Sequence, residues 1–204
     1  MTLSLLAGLG NPEARYSLTR HNAGFWLVDA LADSSGIALK LRRRFSSWLG
    51  EGKLAGRRLI LVKPARYMNN SGPPLRRVLD YFHLHPAQAL VVVDDVNLPP
   101  GRLRLRRRGG AGGHHGLESV IEALGSRDFP RLRIGVGGGE RSDLVGHVLS
   151  PVSASERELY RAAIERAREA VLRAFISGLE EAMNECNAVP AEGTEELSQK
   201  GGGN

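Results

Sequence analysis

Strand-like and helix-like segments alternate along this chain, which predicts an α/β fold: a single domain with a mixed, twisted sheet, helices on both faces and a long C-terminal helix. Three observations carry that reading. Short apolar runs at residues 3–7, 89–93 and 132–136 are bounded by glycine or polar residues, as buried strands are. Segments with helical apolar spacing separate them. Residues 48–55 and 58–62 flank Gly56-Arg57 as a hairpin would, so part of the sheet is antiparallel. A length of 204 residues suits one domain with a substantial core.

In chain order, residues 3–7 are the first strand, stopped by Gly8. Asn22 opens a helix with Phe25, Val28, Leu31 and Ala32 on one face, and Gly36 ends it. After the hairpin, Pro73 and Pro74 start a helix through Leu75, Val78, Leu79 and Phe82. Residues 89–93 are a buried strand, and residues 102–107 alternate Leu with Arg as an exposed one. Residues 116–124 are helical, and residues 132–136 form a strand that runs into Gly137-Gly138-Gly139. From Ser153 to about Glu185, Leu159, Ala163, Ala167, Ala170 and Ala174 mark one long helix, with Ser153 and Glu156 as its capping box. Residues 187–204 are rich in Gly, Glu and Ser and read as a disordered tail, which leaves residues 1–186 as the domain.

Composition narrows the function classes. No run approaches the roughly 18 apolar residues of a membrane span. The N-terminal segment lacks a basic region before its apolar run, so no signal peptide is expected and the expected location is the cytoplasm. Cys186 is the only cysteine, which excludes an internal disulfide and a thiolate-rich metal site. The net charge of +6 is unevenly spread: residues 1–150 hold 22 Lys/Arg against 12 Asp/Glu, and residues 151–204 hold 6 against 10. A basic body suits a polyanionic partner. It also suits a genome that uses arginine freely, since only four of the 28 basic residues are lysine. Two strips concentrate the charge: Arg102, Arg104, Arg106, Arg107 and Arg108 form one, and Lys40, Arg42, Arg43 and Arg44 the other. Such strips grip phosphates without reading sequence, or guard an exposed strand edge.

The polar residues fall where chemistry can be assembled. Asn11, Asn69 and Asp94 each follow an apolar run, and ligands bind at the carboxyl ends of strands in open α/β sheets. His21 lies ten residues beyond Asn11, at the opening of the first helix. An imidazole, a carboxylate and amides in one crevice suit water activation: the ring takes the proton, the carboxylate orients it, and the amides bind substrate or developing charge. On spacing alone, a His near a helix start is more often a structural hydrogen-bonder. Other chemistries lack their parts. Gly8-Leu9-Gly10-Asn11-Pro12-Glu13 has Glu13 where a dinucleotide fingerprint needs glycine. No Gly-Lys-Ser/Thr loop and no Gly-x-Ser-x-Gly elbow occur. His114 and His115 are adjacent and without thiolate partners, so no metal site is expected. Residues 109–116, Gly-Gly-Ala-Gly-Gly-His-His-Gly, form a loop whose N–H groups can hold an anion or carbonyl at a helix start.

Several of these segments, in order, resemble the bacterial peptidyl-tRNA hydrolase family. They are Gly8-Leu9-Gly10-Asn11-Pro12, Tyr16, Thr19-Arg20-His21-Asn22-Ala23-Gly24, Lys63-Pro64 and Met68-Asn69-Asn70-Ser71-Gly72. Then come Asp94, Leu98-Pro99-Pro100-Gly101, Gly112-Gly113-His114-His115-Gly116-Leu117, the stretch from Arg131 to Gly137, and Gly146-His147-Val148-Leu149. The resemblance implies a monomer that acts on peptidyl-tRNA with neither metal nor organic cofactor. It implies His21 as the base, Asp94 as its supporting carboxylate and Asn11 as the group that recognises a blocked α-amino group. Asn69 would orient the ester, with Tyr16 and Tyr67 lining the site and His115 binding substrate. Arg102, Arg104, Arg106, Arg107, Arg108 and Arg133 would contact tRNA phosphates. The chain departs from the family pattern at His115, where Asn is usual, at Asn97, where Asp is usual, and at Tyr67, commonly Phe. An RNA-binding protein without hydrolysis and a small-peptide or nucleoside hydrolase are the competing readings.

Overall fold

The computed structural model of the chain describes residues 2–138 and 143–188. Strands β1 (Leu5–Gly8), β2 (Lys40–Arg42), β3 (Ser47–Leu54), β4 (Arg57–Pro64), β5 (Ala89–Asp95), β6 (Leu103–Arg106) and β7 (Arg131–Gly135) form one sheet. Its order is β2-β3-β4-β1-β5-β7-β6. Neighbours among β4, β1, β5 and β7 are parallel, whereas β2, β3 and β6 pair antiparallel. The helices are α1 (Ala23–Ser35), α2 (Gly72–Tyr81), α3 (His115–Leu124), α4 (Leu144–Leu149), α5 (Arg157–Ile176) and α6 (Leu179–Ala188). The expected α/β fold with a mixed sheet is the one observed.

Strand period divides the core in two. Leu6, Leu61, Leu90, Val92 and Leu132 pack in one cluster with Val28 of α1, Val171 of α5 and Ala182 of α6. Leu5, Ile60, Val62, Val91 and Val93 pack in the other with Leu75 of α2 and Leu117 of α3. Every residue of β5 is buried, as a parallel strand covered on both faces must be. Full burial of each such Leu, Ile or Val contributes roughly 1.5–3 kcal/mol. A Cβ on Gly24 would collide with the carbonyl oxygens of Leu9 and Val92. The start of α1 therefore lies directly against the ends of β1 and β5.

The hairpin turns one residue earlier than the sequence suggests. Leu54 pairs with Arg57, and the two loop residues Ala55 and Gly56 both have positive φ, at 49° and 78°. That is the mirror-image turn whose twist matches paired strands. β2 and α4 have no clear periodic signal because they span only three and six residues. The single long C-terminal helix is in fact two, α5 and α6. The break falls at Gly178, whose φ of 98° takes the backbone out of helix geometry. The capping box forms only in part: Glu156 accepts from the Ser153 N–H at 2.9 Å, but no side chain caps the first turn of α5.

The expected boundary at Asn187 also moves. Residues 187 and 188 belong to α6, and residues 189–204 lie outside the described residues. The Leu105 N–H donates to Asn187 Oδ1 at 2.9 Å, and Asn187 Nδ2 donates back to the Leu105 carbonyl at 3.0 Å. Arg102 donates to the Asn187 carbonyl at 2.6 Å. One amide side chain thus pairs the open edge of β6 as another strand would. Truncation after Cys186 is expected to lower Tm relative to truncation after Ala188 by about 2–4 °C, the shift that ~1 kcal/mol produces in a domain of this size. Equal melting temperatures for the two truncations would show that the edge contact contributes nothing.

Candidate active site

A cleft of about 550 Å³ opens beyond the carboxyl ends of β1 and β5. Asn11, Tyr16, His21, Tyr67, Asn69, Asp94, His115 and Arg133, all singled out from the sequence, line it together with His114. Asp94 comes from the carboxyl end of β5 and is only 2% exposed. His21 comes from the Arg20–Asn22 turn ahead of α1, which the close approach at Gly24 presses against β5.

His21 Nδ1 lies 2.9 and 3.0 Å from the two Asp94 oxygens. A carboxylate only accepts, so Nδ1 carries the proton and the Nε2 lone pair is free, with no partner among the described residues. His114 contacts the same carboxylate, Nε2 to Oδ1 at 3.0 Å. Its Nδ1 accepts the Leu117 N–H at 3.2 Å and so caps α3, which requires Nε2 to be the protonated nitrogen. Both imidazoles are thereby held in single tautomers. Burial alone would raise the pKa of Asp94, but His114 and His21 together outweigh it and hold the carboxyl well below the usual carboxylate range.

His21, Asp94 and His114 are also the residue types of a metal site, with ligand atoms all within 4.8 Å of one another. In this geometry the nitrogens that face Asp94 are N–H donors to its oxygens. A metal would have to displace both protons, so the trio is described fully as a hydrogen-bond chain. Sequence reading paired His114 with His115; the structure separates them. His115 points outward at the rim, 72% exposed, with Nδ1 2.9 Å from Glu118. Successive positions entering a helix face different directions, and only tertiary packing shows which one turns inward.

Asn11 is locked by its neighbours. Its Oδ1 accepts the Met68 N–H at 2.8 Å, its own N–H donates to Asn22 Oδ1 at 2.7 Å, and Asn22 Nδ2 donates to its carbonyl at 3.1 Å. Asn11 Nδ2 is left without a partner among the described residues, as a donor at the cleft floor. Tyr67 and Asn69 are exposed on the neighbouring wall.

Two arginines secure the glycine loop. Arg133 donates to Asp95 at 3.0 Å, to the Gly110 carbonyl at 3.0 Å and to that of Ala111 at 2.9 Å. Arg131, fully buried, donates to the carbonyls of Gly109, Arg127 and Phe129. Burial, with a further push from Arg133, brings the Arg131 pKa down to about 10, so it stays charged. Gly112 and Gly113, with φ of 63° and 80°, turn the loop into α3, and their N–H groups are unused among the described residues.

The opposite wall is α4, which presents Leu144, Val145, Val148 and Leu149. Buried Arg20 holds it, donating to the His147 carbonyl at 3.3 Å and to Ser150 Oγ at 2.7 Å. The same guanidinium meets both Glu156 oxygens at 2.6 Å. Burial would raise the Glu156 pKa, but hydrogen bonds from Arg20 and Ser153 outweigh it and bring it down to about 2.

The cationic strip around β6 is not uniform. Arg102 is tied to Asn187, Arg107 to Glu180 at 2.9 Å, and Arg133 to Asp95 and the loop. Arg104, Arg106 and Arg108 are exposed and have no ion-pair partner among the described residues.

Against this geometry, the model of the peptidyl-tRNA hydrolase family matches residues 5–195. The chain belongs to that family. The peptidyl-tRNA hydrolase of a Synechocystis strain is 46% identical over 185 residues, 90% of this chain and 95% of the relative. That of Caldanaerobacter subterraneus is 44% identical over 183 residues, 90% and 98% of the two chains. The crystal structure of the Acinetobacter baumannii peptidyl-tRNA hydrolase superposes with a TM-score of 0.88 at 38% identity, covering 93% of this chain and 96% of that one. His114 is the site residue that sequence reading passed over. No local signal marked it: the residue just before the apolar pattern at 116–124 is His115, and histidine is not among the residues that N-caps favour.

Proposed function

We propose that this chain hydrolyses the ester joining a peptide to the 3′ end of tRNA with His21 as general base and Asp94 as the carboxylate that holds it. Hydrolysis of peptidyl-tRNA is the reaction of its family. The assignment of roles rests on one observation: Asp94 fixes the Nδ1–H tautomer of His21 and leaves Nε2 free at the cleft. Water gives its proton to Nε2 as its oxygen bonds to the ester carbonyl carbon. Anionic Asp94 stabilises the imidazolium that forms. Collapse of the tetrahedral intermediate breaks the bond to the ribose oxygen, which takes the proton back from His21. Free tRNA and a peptide with a carboxylate terminus leave.

The surrounding groups fit the remaining tasks. The free Nδ2 donor of Asn11 suits an acyl carbonyl on the α-amino group, which a blocked substrate has and a free aminoacyl group lacks. Asn69 and the N–H groups of Gly112 and Gly113 suit the ester oxygen as charge develops on it. Tyr16, Tyr67 and the apolar face of α4 suit the peptide, and His115 at the rim suits the terminal ribose or base. Arg104, Arg106 and Arg108 suit tRNA phosphates; Arg102, Arg107 and Arg133 would have to exchange protein partners to do so. The scheme uses no metal and no organic cofactor. A monomer acting in the cytoplasm, where tRNA is charged and used, accords with it, and no helix of the described residues is long and apolar enough to cross a membrane.

Cleavage of an N-acetylated aminoacyl-tRNA beside the same tRNA with a free amino group tests this reading. The blocked substrate should be released faster by on the order of 10²-fold, the effect of a donor that bound substrate desolvates and only the blocked one pairs. No release from either would refute the activity, and equal release would remove Asn11 from recognition.

His115→Asn restores the residue usual in the family. Because the His115 side chain is exposed and, among the described residues, bonded only to Glu118, the variant should keep kcat/KM within about tenfold, or 1.4 kcal/mol. A collapse of turnover would instead make His115 a principal catalytic group here.

A further inference from the structure

One cationic feature takes no part in the chemistry above. Arg42, Arg43 and Arg44, at the end of β2 and in the turn after it, are exposed and have no ion-pair partner among the described residues. The Arg44 guanidinium lies 4.4 Å from the Phe45 ring centroid and 4.0 Å from that of Tyr81. Arg58 lies 5.0 Å from the Phe82 ring and pairs with Glu51 at 2.8 Å. These side chains, with exposed Leu41 and Tyr81, line a groove of about 670 Å³.

Stacking on aromatic faces sets the plane of a guanidinium and leaves its N–H edge free. That edge matches two phosphate oxygens at once. Three consecutive cations repel one another, and the one carboxylate lining the groove, Glu51, is already paired with Arg58, so a further anion or salt relieves this. The location is also informative. The Ala65 N–H donates to the Ser46 carbonyl at 2.7 Å, which places the Arg43–Phe45 turn beside the end of β4, just ahead of Tyr67 on the cleft. In the strand order, β2 is three places from β1 and six from β6. At about 4.8 Å per strand these are roughly 14 and 29 Å. The groove and the free arginines of β6 thus flank the cleft on opposite sides.

We propose that this groove binds phosphates of the same tRNA whose 3′ end occupies the cleft, as a second contact separate from Arg104, Arg106 and Arg108. The inference rests on peptidyl-tRNA being the substrate. A long polyanion anchored by one end at the cleft reaches past the edge of the domain, and the groove is the arginine cluster on the β4 side of that cleft.

The test compares wild type with Arg42→Gln/Arg43→Gln/Arg44→Gln. Deacylated tRNA binding is followed by fluorescence anisotropy across a salt series. Cleavage is followed on N-acetylaminoacyl-tRNA and on the same ester carried by a CCA trinucleotide. The triple variant should bind tRNA at least tenfold more weakly. The slope of log Kd against log salt should fall by roughly 2–3, at about 0.9 for each phosphate no longer neutralised. The trinucleotide ester, too short to reach the groove, should be cleaved as by wild type, which also shows that the variant is folded. Arg44→Lys, which keeps the charge but loses the planar fork, should fall between the two. Unchanged Kd and salt slope would overturn the proposal, as would loss of trinucleotide cleavage. Groove-dependent binding of polyglutamate, with tRNA binding intact, would overturn it in favour of an acidic protein partner. Failure of the substrate reading shows in wild type itself, as no cleavage of either ester, and takes the groove's assigned ligand with it.

Discussion

Replacing His21 with alanine is expected to lower kcat by on the order of 10²–10⁴-fold, the contribution of a positioned general base, while tRNA binding persists. The ring is not a core element. It is partly exposed and, among the described residues, stacks against nothing closer than the tilted His114 ring at a centroid separation of 5.3 Å and makes side-chain hydrogen bonds only to Asp94. Removing it leaves the sheet, the glycine loop and both groups of exposed arginines in place. Single-turnover cleavage of N-acetylaminoacyl-tRNA, with Kd for deacylated tRNA measured in parallel, separates chemistry from binding. Turnover near the wild-type rate would remove His21 from the mechanism.

Asp94→Asn is expected to cost a comparable factor, on the order of 10²–10⁴ in kcat, for a different reason. An amide keeps the shape of the carboxylate but has one acceptor oxygen and a pair of N–H donors. Its one oxygen can take the place of Oδ1, which both rings contact, but an NH₂ in place of Oδ2 turns a donor toward His21 Nδ1–H, and the amide offers no charge to stabilise an imidazolium. His21 then loses the constraint that keeps Nε2 as the free nitrogen. Stability carries a second signature with a definite sign. The folded-state pKa of Asp94 is lowered, so its contribution is complete above the ordinary unfolded value of about 3.9. It is lost as pH falls from there through the folded-state value. Wild type should therefore be more stable than Asp94→Asn at neutral pH, with the difference shrinking on acidification below that range. Thermal melts of the two proteins over an acid series, run beside the kinetics, check both effects. A variant with wild-type kcat would show that Asp94 neither orients nor stabilises the base.

Much of this protein is decided locally and was therefore legible in its residues. The apolar run of β5 reads as a buried strand and the Leu/Arg alternation of β6 as an exposed one, and both are observed. Asn11, His21, Asn69 and Asp94 could be marked because each follows an apolar run or opens a helix, and sheet topology sends such positions to one crevice. What depended on partners distant in sequence could not be read. The split of the C-terminal helix turns on Gly178 leaving helical φ so that α6 can lie along β6, where Asn187 closes an edge 82 residues away. The inward turn of His114 and outward turn of His115 follow from Asp94 already waiting at the end of β5. Arg102, Arg107 and Arg133 look as free as Arg104 in the sequence, yet each is tied to a partner across the fold. Periodicity and residue type determined which segments are strands and helices and which side chains can do chemistry, because those properties are set by a few neighbouring residues. The tertiary structure alone decided which histidine completes the site and which arginines remain open to an anion, because a hydrogen bond or ion pair needs both partners in place.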